Sequence, residues 1–214
     1  MQQHLKTIKH ALQDFRPNDW PALPGRRNHL LAGILVPLLS DNNWTCLLTQ
    51  RKSYLREHGG EICFPGGKPD EKDGSLENTA VREAFEEVGL KNGVILQKLS
   101  SVPLYTSEYR LEPFLSLFPE NVHLKANPQE VETIVPIPIR SILSLPYIDG
   151  KKFYLQERAY ISPIFIPQKL GLDIQQPIFG GTAHVLLETI EIVSKAMGIP
   201  TPPRKETFDH FPFV

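Results

Sequence analysis

Apolar residues follow both helical and strand-like patterns along the chain, which predicts a mixed α and β protein. His4 to Phe15 carries an apolar residue every three or four positions and is predicted to be an amphipathic helix. Three prolines between Pro17 and Pro24 indicate a linker. Leu30 to Leu39 is an apolar run that predicts a buried strand, and Trp44 to Gln50 is its expected hairpin partner across the turn at Asp41–Asn43.

The rest of the chain continues the same mixture of elements. The further expected elements are strands at Ile62–Phe64, Val94–Tyr105 and Leu111–Phe118, an apolar segment at Thr133–Ile139, a short helix at Ile139–Leu145, a hairpin over Phe153–Ile166 and a closing helix at His184–Met197. A length of 214 residues suits one buried core. We therefore expect one domain over residues 26–199, preceded by the helix and linker of residues 1–25. The proline-rich tail, residues 200–214, is expected to be flexible or laid on the surface.

A helix between Ser75 and Gly89 has two distinct faces. Ser75 is a suitable N-cap and Gly89 a suitable residue just beyond the C-terminus. An apolar stripe with a spacing of four residues is expected to pack on the sheet; it consists of Leu76, Ala80, Ala84 and Val88. The acidic residues of the helix lie off this stripe, toward solvent or a cleft.

Three of these acids break local rules of helix stability. Glu83, Glu86 and Glu87 lie at i, i+3 and i+4, so like charges repel on one face of the helix. They also fall in the last turn, where negative charge opposes the helix dipole. Local rules broken together indicate function. A divalent cation relieves both conflicts, and carboxylate oxygens suit Mg²⁺ or Mn²⁺.

Composition excludes several other classes of protein. With 23 basic and 24 acidic residues, the chain lacks the positive charge that favours non-specific nucleic-acid binding. Cys46 and Cys63 lie in apolar surroundings and are expected to be structural thiols. No apolar run is long enough to span a membrane, and the N-terminal segment lacks a signal core. These features favour a cytoplasmic protein with no membrane partner.

The stretch from Gly67 to Leu90 resembles a Nudix box, whose pattern is G-x5-E-x7-R-E-u-x-E-E-x-G-u with u an aliphatic residue. Arg82 to Leu90 matches the second half of the pattern in full. In the first half, Asp73 stands at the first acidic position, and the spacer that follows it is one residue longer than usual. The resemblance implies a Nudix fold of the α/β class, an α/β/α sandwich around a mixed β-sheet.

A second motif just upstream resembles the one that marks the coenzyme A-hydrolysing branch of that family. The branch pattern is L-L-T-x-R-[SA], a short spacer, and G-x3-F-P-G-G. Here the chain has Leu47 to Lys52 and then Gly60 to Gly67, with Lys52 in place of the small residue. The implied activity is divalent-metal-dependent hydrolysis of the pyrophosphate in coenzyme A, and in acyl-CoA by extension. The products are 4′-phosphopantetheine and adenosine 3′,5′-bisphosphate.

The resemblance also implies roles for particular residues. Glu83 and Glu87 are the first expected metal ligands, and Glu86 is either a third ligand or the partner of Arg82, which lies four residues before it. The general base is Glu130 or one of the box glutamates, with Glu132 in reserve. The candidate substrate-binding residues are Arg51, Arg56, Phe64, Gly66 and Gly67. Guanidinium groups clamp phosphate oxygens, and glycines let backbone amides approach a ligand.

Two other functions remain open at this point. The box also fits a pyrophosphatase acting on ADP-ribose, a dinucleotide or an oxidised nucleotide. This alternative stays open because Lys52 departs from the coenzyme A motif. A Nudix-fold module that binds a nucleotide without turnover is the other, although such modules usually lose box carboxylates. A small-molecule partner is expected in each case, and the sequence leaves a homodimer open.

Overall fold

A mixed sheet is built around strand β1 (Leu30–Leu39) in the computed structural model, which describes residues 1–155 and 158–209. β1 pairs in parallel with β7 (Tyr109–Phe118) and antiparallel with β2 (Thr45–Arg51). The other strands of this sheet are β3 (Ile62–Cys63), β4 (Gly66–Gly67), β5 (Val94–Lys98), β6 (Val102–Pro103) and β8 (Val131–Pro138). Parallel and antiparallel pairs therefore share one sheet, as the resemblance implied.

Helices cover both faces of this sheet. Helix α2 (Leu76–Val88) packs on one face, where Leu35 and Leu39 of β1 point. Helix α4 (Gly180–Met197) packs on the other face, with α1 (Gln2–Ala11) and the short α3 (Ile139–Leu143) beside it. The expected α/β/α sandwich is confirmed.

Gly33 explains how closely α2 approaches the sheet. A Cβ atom at this position would lie 2.3 Å from the carbonyl oxygen of Leu76, in the first turn of α2. Only a glycine in β1 therefore allows this helix–strand distance. The close contact fixes where the helix, and hence its acidic face, stands above the sheet.

A smaller sheet contains the end of the described chain. It consists of β9 (Ile148–Leu155), β10 (Arg158–Ile164) and β11 (Arg204–Phe208), and a 3₁₀ helix (Pro167–Leu170) follows β10. β11 pairs in parallel with β9, so this part of the expected tail is laid on the domain as a strand. The buried Asp149 of β9 accepts hydrogen bonds from Lys169 in the 3₁₀ helix and from Thr207 in β11, and so links these two segments. Residues 210–214 of the tail lie outside the described residues.

Several predicted boundaries differ from the observed ones. Helix α1 ends at Ala11 rather than Phe15, and its C-terminal N–H groups close on His10 and Ile8 carbonyls. The strand predicted over Val94–Tyr105 is divided into β5 and β6. Between them, the backbone and hydroxyl of Ser100 bond to Glu188 of α4. Because the N–H of Ser100 bonds to this side chain, the ladder with β7 is interrupted there, and both β5 and β6 still pair antiparallel with β7. In the described part of the chain, none of the helices combines the length and the apolar character that crossing a membrane requires.

Candidate active site

Helix α2 has the caps and the buried stripe that the sequence predicted. The Ser75 hydroxyl accepts a hydrogen bond of 3.1 Å from the N–H of Asn78, and Gly89 adopts a left-handed conformation with φ of 73°. Ala80, Ala84 and Val88 are buried against the sheet. The packing of this stripe sets the rotation of the helix, so that Glu83 and Glu87 face the neighbouring strands rather than bulk solvent.

Arg82 connects the acidic residues around the helix. Its Nε and Nη2 donate to the two carboxylate oxygens of Asp73 at 2.8 and 3.0 Å. Its Nη1 donates to Glu83 at 2.9 Å and to Glu86 at 3.0 Å. The Arg82–Glu86 contact expected from the spacing of four residues is present. A further bond from Nη2 to the carbonyl of Lys68, 3.1 Å long, ties the helix to the loop after β4.

Asp73 anchors this arginine, a role that the sequence analysis did not assign. The Asp73 carboxylate also accepts hydrogen bonds of 2.8 Å from the Thr79 hydroxyl and from the N–H of Asp70. The Arg82 guanidinium, helped by these donors, holds the pKa of Asp73 well below its usual range. The available signal was an acid nine residues before the box arginine, at the first acidic position of the motif.

Replacing Arg82 with lysine should separate the charge of this side chain from its geometry. A single ammonium cannot reproduce the guanidinium's planar, two-pronged grip on Asp73 while also holding Glu83 and Glu86. We expect kcat to fall by about 10- to 100-fold, the usual effect of losing a group that orients the ligands of a site. Steady-state kinetics of the Arg82→Lys variant test this. Wild-type kcat in this variant would show that charge alone is enough.

Glu87 is a buried carboxylate with an unsatisfied oxygen. The residue is 3% exposed, its Oε2 has no hydrogen-bond partner, and its Oε1 lies 3.9 Å from Nη1 of Arg51. Burial raises the pKa of Glu87 from its ordinary value of 4.5 to about 8, against the opposing charge of Arg51. The nearby charges of Glu83 and Glu130 raise this pKa further. The carboxylate of Glu87 thus lies among other carboxylates and near the positive charge of Arg51. A bound cation would supply the further positive charge that these carboxylates need.

Glu83 is pressed against the double glycine. A Cβ atom on Gly67 would lie 2.6 Å from Cδ of Glu83, and one on Gly66 would lie 2.5 Å from the carbonyl oxygen of Gly33. Burial raises the pKa of Glu83, while the guanidinium of Arg82 opposes that shift. The Gly66–Gly67 strand therefore forms one wall of the site and Glu83 lies directly beside it.

Alanine at two glycines should separate effects on activity from effects on folding. Gly67→Ala pushes the Glu83 carboxylate aside, and we expect kcat to fall about tenfold or more with little change in melting temperature. Gly33→Ala instead meets the backbone of α2, which cannot move away cheaply. We expect this variant to lower the melting temperature by several degrees. Kinetics and thermal melting of both variants check this. The prediction would be contradicted if the two variants lost the same amount of kcat and the same amount of melting temperature.

The structure separates the two acids considered after the box. Glu130 is half-buried and close enough to Glu83 and Glu87 to raise the pKa of both. Glu132 is exposed and forms an ion pair of 2.6 Å with Lys52. Glu130 therefore lies near the box acids, whereas Glu132 pairs with Lys52, the residue at which the chain departs from the upstream motif.

The candidate substrate-binding residues fall in different environments. Arg51 ends β2 beside Glu87, and its Nε is a buried donor without a hydrogen-bond partner. Arg56 is exposed in the following loop. Phe64 is only 3% exposed and packs in the main core, and its part in substrate binding stays a prediction. His184 bonds to the Ser162 hydroxyl at 3.1 Å, in keeping with a packed histidine.

The box acids suit a divalent cation in donor type and charge. Glu87 presents a buried oxygen without a partner, and Glu83 lies next to it with a raised pKa. Among the described residues, however, no three His, Cys, Asp or Glu side chains already surround one metal-sized position. Nη1 of Arg82 contacts oxygens of both Glu83 and Glu86. In this state Glu86 is the partner of Arg82, one of the two roles that the sequence left open.

A mixed sheet between helices, with an acidic helix following a double glycine, is the arrangement that the resemblance to a Nudix box implied. The sequence profile of the NUDIX domain matches residues 29–155, and the chain therefore belongs to the Nudix family of hydrolases. Hydrolases of this family generally use divalent metal ions and bind small-molecule substrates.

Relatives in Yersinia are similar to more than half of the chain. Over 135 residues, the chain is 37% identical to a protein described as an uncharacterized Nudix hydrolase, NudL, from Yersinia pestis strain Pestoides F. The match covers 61% of this chain and 68% of the relative. NudL from Yersinia pseudotuberculosis serotype O:1b matches with the same identity and coverage.

Solved structures resemble the chain more distantly. A MutT/nudix family protein from Enterococcus faecalis is 14% identical, with a TM-score of 0.47 over 88% of this chain and 67% of that one. The NUDIX domain of Shewanella oneidensis NrtR, solved with ADP ribose, is 20% identical, with a TM-score of 0.42 over 64% and 86% of the two chains.

Proposed function

We propose that this protein hydrolyses the pyrophosphate bond of coenzyme A, or of an acyl-CoA, with the help of Mg²⁺ or Mn²⁺. The products would be 4′-phosphopantetheine and adenosine 3′,5′-bisphosphate. One observation carries the proposal: the coenzyme A motif and the Nudix box meet at a single site. Arg51 of the upstream motif lies beside Glu87, and Gly67 at its end lies against Glu83.

The substrate's negative charge explains why acids and a cation belong together here. A bound divalent ion would neutralise the diphosphate and lower the pKa of a water molecule. Glu83 and Glu87 are the proposed ligands, because they are the box acids whose pKa values are raised by burial. Arg82 keeps Glu86 and one oxygen of Glu83 in place beside them.

Glu130 is the proposed general base. During hydrolysis the oxygen of water bonds to one phosphorus, the bridging P–O bond breaks, and the water gives up a proton. Glu130 is near the box acids and, unlike Glu86, is not engaged by Arg82 in the described contacts. Its carboxylate can accept that proton. Glu132 is a poorer candidate, since its carboxylate is paired with Lys52.

Arg51 is the proposed phosphate-binding residue. It stands at the end of β2 with a buried Nε that has no partner, next to the acids that would hold the metal. A phosphate oxygen would satisfy this donor with a charge-assisted hydrogen bond. The exposed Arg56 lies in the loop that follows β2 and would contact a more distant phosphate, such as the 3′-phosphate of coenzyme A.

A panel of substrates tests the proposal. The purified protein is incubated with Mn²⁺ and coenzyme A, an acyl-CoA, ADP-ribose or NADH, and the products are separated by chromatography. Adenosine 3′,5′-bisphosphate from coenzyme A is the expected result. Formation of AMP from ADP-ribose or NADH, with coenzyme A untouched, would assign the protein to a different substrate class. No turnover of any member would contradict hydrolysis of these diphosphates.

A further inference from the structure

Tyr54 is an exposed aromatic residue whose hydroxyl is nevertheless fixed. It lies in the loop after β2, and its hydroxyl donates a hydrogen bond of 2.6 Å to the carbonyl of Gln129. The residue is 68% exposed. Single exposed tyrosines are common on protein surfaces, and Tyr154 is as exposed as Tyr54. What distinguishes Tyr54 is that the hydrogen bond to Gln129 holds its ring beside the segment that carries Glu130.

The anchor places this ring at the edge of the candidate active site. Gln129, which holds the hydroxyl, directly precedes Glu130. The backbone N–H of Lys52 donates to the carbonyl of Glu130 at 2.9 Å, and the side chain of Lys52 pairs with Glu132. Tyr54 thus lies three residues after Arg51 and bridges the loop of the upstream motif to the segment that carries the proposed base.

The loop that carries Tyr54 is folded tightly on itself. A Cβ atom on Gly59 would lie 2.6 Å from the carbonyl oxygen of Leu55 and 2.7 Å from that of Ser53. The N–H of Leu55 also donates to the carbonyl of Lys52. The ring therefore has a set position before any ligand arrives, and a preorganised ring loses little freedom on binding.

We propose that Tyr54 is a stacking platform for the purine base of the substrate. This inference rests on the proposed function, because it assigns the adenine of coenzyme A to the rim formed by Tyr54 and the loop before Glu130. An aromatic face suits a planar base, while the acids and Arg51 suit the diphosphate. The two halves of the substrate would then be recognised by different chemistry at neighbouring positions.

The ring and the hydroxyl can be separated by two substitutions. Tyr54→Phe and Tyr54→Leu both remove the anchor, but only phenylalanine keeps an aromatic face. We expect Tyr54→Leu to weaken binding of adenosine 3′,5′-bisphosphate about tenfold or more, and Tyr54→Phe to weaken it no more than about threefold. Binding of 4′-phosphopantetheine should stay within about twofold of wild type in both variants.

Calorimetry with Mn²⁺ present measures both ligands on the wild type and the variants. Tyr154 provides a matched control, since it is 69% exposed but lies on β9 of the smaller sheet. Tyr154→Leu should bind both ligands as the wild type does. Equal affinities of Tyr54→Leu and Tyr54→Phe for the bisphosphate would overturn the proposal. A parallel loss of affinity for both ligands, or a wild type that does not bind the bisphosphate, would also overturn it.

The same experiment keeps this inference distinct from the proposed function. A protein that binds the bisphosphate through Tyr54 but does not split coenzyme A contradicts only the proposed function. A protein that splits coenzyme A and binds the bisphosphate equally well with leucine or phenylalanine at position 54 contradicts only the stacking site.

Discussion

Replacing Glu87 with glutamine is expected to lower kcat by more than about 10²-fold while leaving the fold intact. The substitution keeps the size of the side chain and removes the negative charge at the most buried of the box acids. If Glu87 holds a divalent ion, its loss weakens charge neutralisation on the diphosphate and activation of water together. Kinetics at saturating Mn²⁺ measure the effect, and a fully active variant would remove Glu87 from the metal site.

The same substitution should change how stability depends on pH. Because the folded state raises the pKa of Glu87 from 4.5 to about 8, the folded protein binds this proton more tightly than the unfolded chain does. Unfolding between these values releases a proton, so the stability of the metal-free protein falls as pH rises through this window. Glu87→Gln has no such proton, and it should melt above the wild type at the upper end of the window.

Melting temperatures from about pH 5 to pH 8 check this difference. Glu83 also has a raised pKa and remains in the variant, so a smaller decline should persist there. Mn²⁺ should stabilise the wild type most at the high end of the window, where Glu87 is ionised. Parallel melting curves for the metal-free wild type and variant would show that Glu87 is ionised at no unusual cost.

Loss of the proposed base gives the second large effect. Glu130→Gln is expected to lower kcat by about 10²-fold or more, the range associated with general base catalysis. Glu132→Gln is the matched control, since it is two residues away and paired with Lys52 rather than near the box acids. We expect this control to keep kcat within about threefold of the wild type, the scale of a surface ion pair.

The pH profile distinguishes a base from a merely structural residue. A base that must be ionised produces an acidic limb in the pH dependence of kcat, and Glu130→Gln should lose or shift that limb. If Glu130→Gln and Glu132→Gln reduce kcat equally, the segment after Asn127 matters for folding rather than for proton transfer. If Glu132→Gln alone is impaired, the two assignments must be exchanged.

Local chemistry made helix α2 readable in the sequence. Its cap at Ser75, its stop at Gly89 and its apolar stripe are all decided by residues within one or two turns of each other. The Arg82–Glu86 contact follows from helical spacing in the same way. Strand β1 was equally clear, because it is buried on both faces and its sequence is apolar nearly throughout.

Contacts between distant segments were not readable in the same way. The pairing of β11 with β9 joins residues 56 positions apart, such as Arg204 and Ile148, and proline-rich composition gave no sign of it. The anchor of Arg82 on Asp73 crosses a loop whose path depends on the fold. The burial of Phe64 in the main core was likewise not readable from the motif that contains it.

The position of Glu130 shows what the sequence and the structure each contribute. Motif position identified it as a candidate, but its proximity to Glu83 and Glu87 depends on how β8 pairs with β2. The same pairing brings Lys52 to Glu132 and thereby separates the two acids. Strand register, which sequence patterns specify only in part, therefore decides which carboxylate reaches the site.

Anomalous diffraction from crystals soaked in Mn²⁺ and coenzyme A would test most directly whether the acidic face of α2 exists to hold divalent cations. We expect a manganese peak within coordination distance of Glu83 and Glu87, with the diphosphate beside it and Glu86 still close to Arg82. Manganese found only elsewhere, with Glu87 remaining buried beside Arg51 and the diphosphate remote from α2, would contradict this assignment.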